Sequence, residues 1–388
     1  MTIRIDNVER VLTDQRGPLR ILALADCWQG ANCYAFVRAF RRAGHSVSVC
    51  SEADAIPRTW RLLALRILRR LMMPMLVSEY NREILAEAGR LRPHLLFVFK
   101  GNYLTAETLR LVKARGAVAI NFFPDTSVMA DGRYIPEALP FYDWVFTTKT
   151  FGLPDMERHL GLRNASFLPH AFDPEVHAPL ALDQMDVDRY ASDVSFIGTW
   201  SAKKERLLLQ LSDALPEVRL RVWGAQWEKA SNRMRRIAEH QVVLGTEYAK
   251  CIRGSRINLG LLVEARPGAS SGDLITARTF EIPASGGFML HERNEEVSRY
   301  FVEGRECAMF SGANELVDQV RHYLANEDER RKIADLGRLR CVQSGYSVDS
   351  HAEEVIAKYR EFAASRLEAP RFGSDPASAT PAKILDHQ

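Results

Sequence analysis

Along the first half of the chain, short unbroken apolar runs alternate with longer stretches whose apolar positions recur every three or four residues. The runs predict strands at 19–25, 46–50, 95–99, 118–122, 144–147 and 165–168, since a strand covered on both faces needs no polar alternation. The periodic stretches predict helices at 32–43, closed by Gly44, at 77–91, closed before Pro93, and at 105–115, closed at Gly116. Strand and helix repeated in this order predict a doubly wound parallel sheet.

A break follows. The segment LPHAFDPEVHAPLALDQMDVDRYASD lacks a clean period and holds Pro169, Pro174 and Pro179, which predicts a linker and a domain boundary near residue 178. The alternation then resumes, with strands expected at 194–197, 219–223, 257–262, 287–290 and 307–310 and helices at 203–214, 276–284, 313–326 and 328–340. The expected architecture is therefore α/β, with two Rossmann-like domains over 1–178 and 179–349. A last helix over 348–366 has Val348, Ala352, Val355, Ile356, Tyr359 and Phe362 on one face, and that face needs a surface already built. The tail 368–388 is poor in apolar residues and is expected to be disordered.

Composition narrows the function classes. The chain has 388 residues, 46% of them hydrophobic, and its 52 Lys and Arg against 49 Asp and Glu leave a net charge of +3. That balance disfavours a protein held to nucleic acid by overall charge, so any anion must meet a local site. No apolar run reaches the ~18 residues that span a bilayer, and the polar start MTIRIDNVERVLTDQR lacks the plan of a secretory signal, so a cytoplasmic protein is expected. The six scattered cysteines include no CxxC pair and read as small buried thiols. DQMDVD lacks the glycine and distal glutamate of a calcium loop, and no metal or cofactor is expected.

The most informative stretch is GASSGDLITARTFEIPASGGF, residues 268–288, in which Asp273 stands eight positions before Glu281 with Thr276, Arg278 and Thr279 between them at a predicted helix start. Unpaired N–H groups there, with Arg278 as a fixed charge, would suit a phosphate. One acid could hold sugar hydroxyls and the other a ribose diol. Spacing alone equally allows a solvated loop acid and an exposed helical acid.

The run TARTFEIPASGGFML, followed by EEVSRYFVEGRECAMFSGANELVDQVRHYLANEDERRKIADLGRLRC, resembles the C-terminal domain of GT-B glycosyltransferases, in particular the spore-maturation glycosyltransferase-like family. The likeness covers about residues 190–362 and reaches the first half only through architecture. It implies a GT-B fold whose last helix crosses back onto the first domain, and transfer of a sugar from a nucleoside-diphosphate donor to an acceptor hydroxyl. It also implies that Glu281 binds the ribose and that Arg278 and Thr279 lie near the diphosphate. Retaining members carry a Glu where this chain has Asp273, so retention is the expectation with that departure noted. An epimerase or hydrolase on the same scaffold, and a non-catalytic sugar-nucleotide-binding assembly protein, are the alternatives.

Further donor-side candidates follow from the likeness. DVSFIGTWSAKKERLLLQL, 193–211, places Gly198 and Thr199 at a strand end and Lys203 and Lys204 at a helix start, where a cation would meet the diphosphate. RLRVWGAQWEKA, 219–230, offers Trp223 and Gly224 to a base, although its tryptophans could equally be core. In the first domain, Gly30, Lys100, Asn102 and Asp125 fall at predicted strand ends. Asp125 could act as base or acceptor ligand, or could merely cap a turn. His170 sits at the expected hinge. The stretch 58–76, RTWRLLALRILRRLMMPML, carries five arginines and no acid, so it could lie on an anionic membrane surface or simply cover the sheet. The acceptor expected is a glycan, a lipid-linked glycan, a protein or a small molecule.

Overall fold

The computed structural model describes residues 17–28, 30–56 and 63–368, with the side chains of 63–67, 69, 367 and 368 outside that description. The expected tail, apart from Glu368, and Arg58 and Arg61 of the basic stretch lie outside the described residues. Two parallel sheets organise the chain. The first contains β1 (Arg20–Leu24), β2 (Ser46–Cys50), β3 (Leu95–Phe99), β4 (Val118–Phe123), β5 (Trp144–Thr147) and β6 (Ala165–Phe167), in the order β2-β1-β3-β4-β5-β6. The second contains β7 (Ser192–Ile197), β8 (Leu220–Trp223), β9 (Ser255–Gly260), β10 (Met289–Glu292) and β11 (Ala308–Phe310), in the order β8-β7-β9-β10-β11.

In each sheet the chain leaves its first strand to one side and returns to the other. The switch lies between β1 and β3 in one sheet and between β7 and β9 in the other. Loops diverge there at the carboxyl ends and leave a crevice, which is where such sheets bind ligands. The strands read as apolar runs because both faces are covered; all six residues of β4 are buried. On one face Phe36 of the helix Asn32–Arg42 packs on Phe97 and Phe122 at 5.1 and 4.9 Å between ring centroids.

The last helix, Val348–Glu368, joins that same face. Val348, Ala352, Val355, Ile356 and Tyr359 are buried with Phe36, Phe40 and Phe97, and Phe362 lies 6.2 Å from the Trp144 ring. It therefore completes the first domain after the second has been built. Two linker strands meet where it crosses: Phe172 N–H donates to Tyr346 O and Val348 N–H donates to Phe172 O, at 3.1 and 2.9 Å.

Some elements differ from expectation. The helix expected at 77–91 runs over Leu63–Leu91, and Val77 is its first buried side chain among those described. β10 is Met289–Glu292 rather than 287–290, because Gly286 at φ +76° ends the preceding helix and Gly287 and Phe288 make the connection. Helices at Gly152–Leu160, Gln184–Tyr190 and Thr246–Gly254 were not expected. Four cysteines are buried, whereas Cys27 is exposed and Cys33 partly so.

Candidate functional site

The carboxyl edges of the two sheets face each other across a cleft of about 700 Å³. The ends of β1 and β3 form one wall and the ends of β7 and β8 the other, so both switch points open into it. On the second wall Gly224 has φ +134°, and a Cβ there would stand 2.1 Å from the Gly198 carbonyl oxygen. Only glycine allows the two strand ends to approach this closely. Across the mouth, a Cβ on Gly30 (φ +88°) would come within 2.4 Å of the Gly245 backbone nitrogen, so loops of the two domains touch backbone to backbone.

The helix Arg278–Ala284 turns Phe280 and Ile282 into the core, which leaves Arg278 and Glu281, three residues apart, on the cleft side. Arg278 donates to Leu261 O at 3.0 Å and lies over the Phe196 ring. Glu281 is only 7% exposed. Burial pushes its carboxyl up to about 7, against the pull of the Tyr248 hydroxyl and the Arg278 guanidinium. His177 Nε2 stands 3.8 Å from Glu281 Oε1, while its Nδ1 accepts from Asp173 N–H at 3.0 Å, which leaves the ring proton on Nε2. Burial and Arg38 hold this histidine neutral, at about 3.

The first-domain wall carries carboxylates that the sequence reading did not single out. Asn102 Nδ2 donates to Glu52 Oε2 at 3.1 Å, and Asp26 Oδ1 accepts from Ala53 N–H at 2.8 Å. Trp28, 41% exposed, stands at the same wall. Lys100 reaches the cleft too, with its ammonium paired to Asp125 and, at 3.1 Å, to Asp131.

Asp125 and Asp273, the expected catalytic carboxylates, do not line the cleft. Asp273 is engaged in a polar seam between the domains, and Asp125 pairs with Lys100 of its own domain beside that seam. The loop 261–277 reaches across to the first domain: Arg266 bonds Asp131 at 2.9 Å, Ser127 Oγ donates to Pro267 O at 2.6 Å, and Ser270 N–H donates to Asp155 at 2.8 Å. Asp273 ends the seam, 2.6 Å from the buried Lys149 Nζ, which also donates to Ile275 O at 3.1 Å.

Of the donor-side candidates, Gly198, Thr199, Gly224, Arg278 and Glu281 line the cleft, as do Gly30, Lys100 and Asn102 opposite. The others are turned elsewhere. Lys203 pairs with Glu292, and its backbone N–H donates to Glu264 at 3.0 Å, so a carboxylate already satisfies that helix start. Lys204 is buried, donates to Thr199 O, and is held down to about 7 by burial and by Arg278. Trp223 is core, 1% exposed. Thr279 Oγ1 receives Thr276 N–H and meets His291 Nε2, both at 3.0 Å, which commits the Thr279 side chain to shaping the helix entry, and Thr276 is buried beside it. His170 lines a separate small crevice behind β3 and β4, beside Phe99 and Phe122.

Residues 203–357 match the profile of a family described as glycosyl transferase-like. A comparison with curated protein sequences found no match. Among solved structures, sucrose-phosphate synthase from Thermosynechococcus elongatus is 12% identical with a TM-score of 0.63, over 89% of this chain and 100% of that one. A glycosyltransferase from Rickettsia africae is 10% identical with a TM-score of 0.62, over 89% and 98%. Anabaena HepE in complex with UDP-glucose is 11% identical with a TM-score of 0.56, over 91% and 100%. At these identities the likeness is one of fold: two Rossmann-like domains facing a cleft, the GT-B arrangement. The family match is to glycosyltransferase-like proteins at large and does not single out the spore-maturation branch.

Proposed function

We propose that this protein is a glycosyltransferase that takes a nucleoside-diphosphate sugar in the cleft, with the nucleotide against the second domain (179–349) and the acceptor hydroxyl against the first (1–178, completed by the last helix). The observation that carries this reading is Glu281: a carboxyl buried in the cleft wall, with Arg278, Tyr248 and His177 around it and capacity left to accept a ligand's hydroxyls. Arg278, one turn away, meets the diphosphate in this reading, and Ala225 and Val243 beside Gly224 form a slot for a planar base. The glycosyl transferase-like profile covers Arg278 and Glu281. The fold neighbour in complex with UDP-glucose supports the same donor class. Retention is proposed on the Asp273–Glu281 spacing alone, since Asp273 itself is paired with Lys149 outside the cleft. Charge developing on the leaving diphosphate is met by Arg278 and by the backbone N–H of Thr199 at the end of β7, without a metal.

Calorimetric titration with uridine, guanosine and adenosine diphosphates tests the reading, coupled to donor turnover with and without acceptor glycans, in the presence of a chelator. One diphosphate is expected to bind, and Glu281→Ala to weaken it by about 1.5–3 kcal/mol, the worth of hydrogen bonds to a charged group. Sugar release should depend on acceptor, with the anomer preserved in the product. Equal binding by the variant, or epimerised donor with no transfer, would replace this reading.

A further inference from the structure

The helix Leu63–Leu91 is much longer than the sheet it flanks. Its 29 residues span about 43 Å, against about 17 Å for a five-residue strand. Asn81 fixes its height on the fold, donating to Tyr103 O and accepting from Thr105 N–H at 2.8 and 3.0 Å, at the loop that follows the carboxyl end of β3. The helix connects β2 to β3 and so runs against the strands, from their carboxyl edge to their amino edge. Everything before Val77 therefore projects past the cleft edge of the first domain, over about 20 Å. On this overhang Leu68, Leu71 and Met75, spaced three and four apart on one face, are 46%, 74% and 54% exposed. Arg70 beside them is exposed. The helix also carries Arg66 and Arg69, and no Asp or Glu occurs between Asp54 and Glu79.

We propose that this overhang is a docking surface for an anionic lipid bilayer, on which the apolar stripe enters the headgroup boundary and the arginines meet lipid phosphates. The charge decides between occupants. A stripe beside the exposed Arg70, in a stretch that holds arginines and no acid in a chain whose net charge is +3, complements a negative surface and repels a second copy of itself. No described helix is long and apolar enough to cross a membrane, so the contact is peripheral. Docked in this way, the first-domain wall of the cleft, with Glu52, Asn102 and Tyr103, stands beside the lipid surface.

The proposal does not rest on glycosyl transfer, because lipid partitioning is read without donor. The full chain is sedimented with vesicles of phosphatidylcholine, with and without phosphatidylglycerol, over a range of salt. Binding should require phosphatidylglycerol and fall as salt rises. The triple variant Arg66→Gln, Arg69→Gln, Arg70→Gln should bind about a hundredfold more weakly, roughly fivefold for each arginine. Leu68→Ser, Leu71→Ser, Met75→Ser should also lose binding, with parental melting temperature because these side chains are exposed in the free protein. Absence of vesicle binding, or equal partitioning of parent and variants, overturns the proposal. So does a self-association in analytical ultracentrifugation that the serine variant abolishes while vesicle binding stays absent.

Discussion

At the scale of single residues, Glu281 sets site and stability against each other. Its pKa in the ligand-free fold, about 7, lies above the ordinary 4.5. A group raised in this way favours the fold below about 4.5, and that contribution is lost as pH rises through about 7. At pH 8 the buried carboxylate is a net cost, on the order of 1–3 kcal/mol. Glu281→Gln should therefore raise the melting temperature at pH 8 and leave it unchanged at pH 4, while weakening nucleoside-diphosphate binding at pH 8. In the parent, affinity should fall as pH drops below about 7, because a protonated carboxyl accepts fewer hydroxyls; in the Gln variant the profile should be shallower, leaving only the titration of the ligand's terminal phosphate, with a pKa of about 6. Calorimetry and thermal unfolding at the two pH values decide it, and a variant less stable than the parent at pH 8 would contradict the assignment of strain to this carboxylate. Arg278 and Glu281 were legible in sequence because one helical turn carries both. His177, Tyr248, Asp26 and Glu52 were not, since they lie up to 255 positions from Glu281 (281 minus 26) and only the facing of two sheets makes them neighbours.

At the scale of elements, the loop 261–277 ties the helix that bears Arg278 and Glu281 to the first domain. One of its links is Lys149 with Asp273, the lysine buried and the aspartate side chain 13% exposed. Removing one partner of a buried pair leaves an uncompensated charge and costs about 3–5 kcal/mol, whereas removing both restores much of it. Lys149→Met should destabilise the protein by that order in urea unfolding, and Lys149→Met with Asp273→Leu should recover more than half. Strictly additive losses would show that the pair is not coupled. The spacing of Asp273 from Glu281 drew attention to this loop in sequence, but no local pattern could show that its partners are Asp131, Lys149 and Asp155 of another domain. Strands were the most legible elements, since burial on both faces writes itself as an apolar run. The overhang of Leu63–Leu91 was legible as a basic amphipathic stretch but not as one helix with 77–91, and Gln184–Tyr190 escaped because its sequence, QMDVDRY, is mostly polar and buries only Tyr190.

At the scale of the whole molecule, two crossings of the chain join the domains, and the second leaves a helix that belongs to the first domain in space and follows the second in sequence. Val348, Ala352, Val355, Ile356 and Tyr359 are buried in that core. At about 1.5–3 kcal/mol for each large apolar side chain, their loss is comparable with the 5–15 kcal/mol of a typical domain's stability. The first domain's core is therefore incomplete without the last helix, and the first domain is expected to reach full stability only once that helix is present. Truncation after Ser347 isolates this dependence, because it keeps Tyr346, which packs 5.3 Å from the Phe280 ring and supports the second domain. Hydrogen exchange on the truncated chain should show protection lost in β1, β3 and the helix Asn32–Arg42 but retained in β7 and β9. Were the first sheet to keep its protection, the helix would be an ornament on a finished core, and the second crossing would serve only to end the chain.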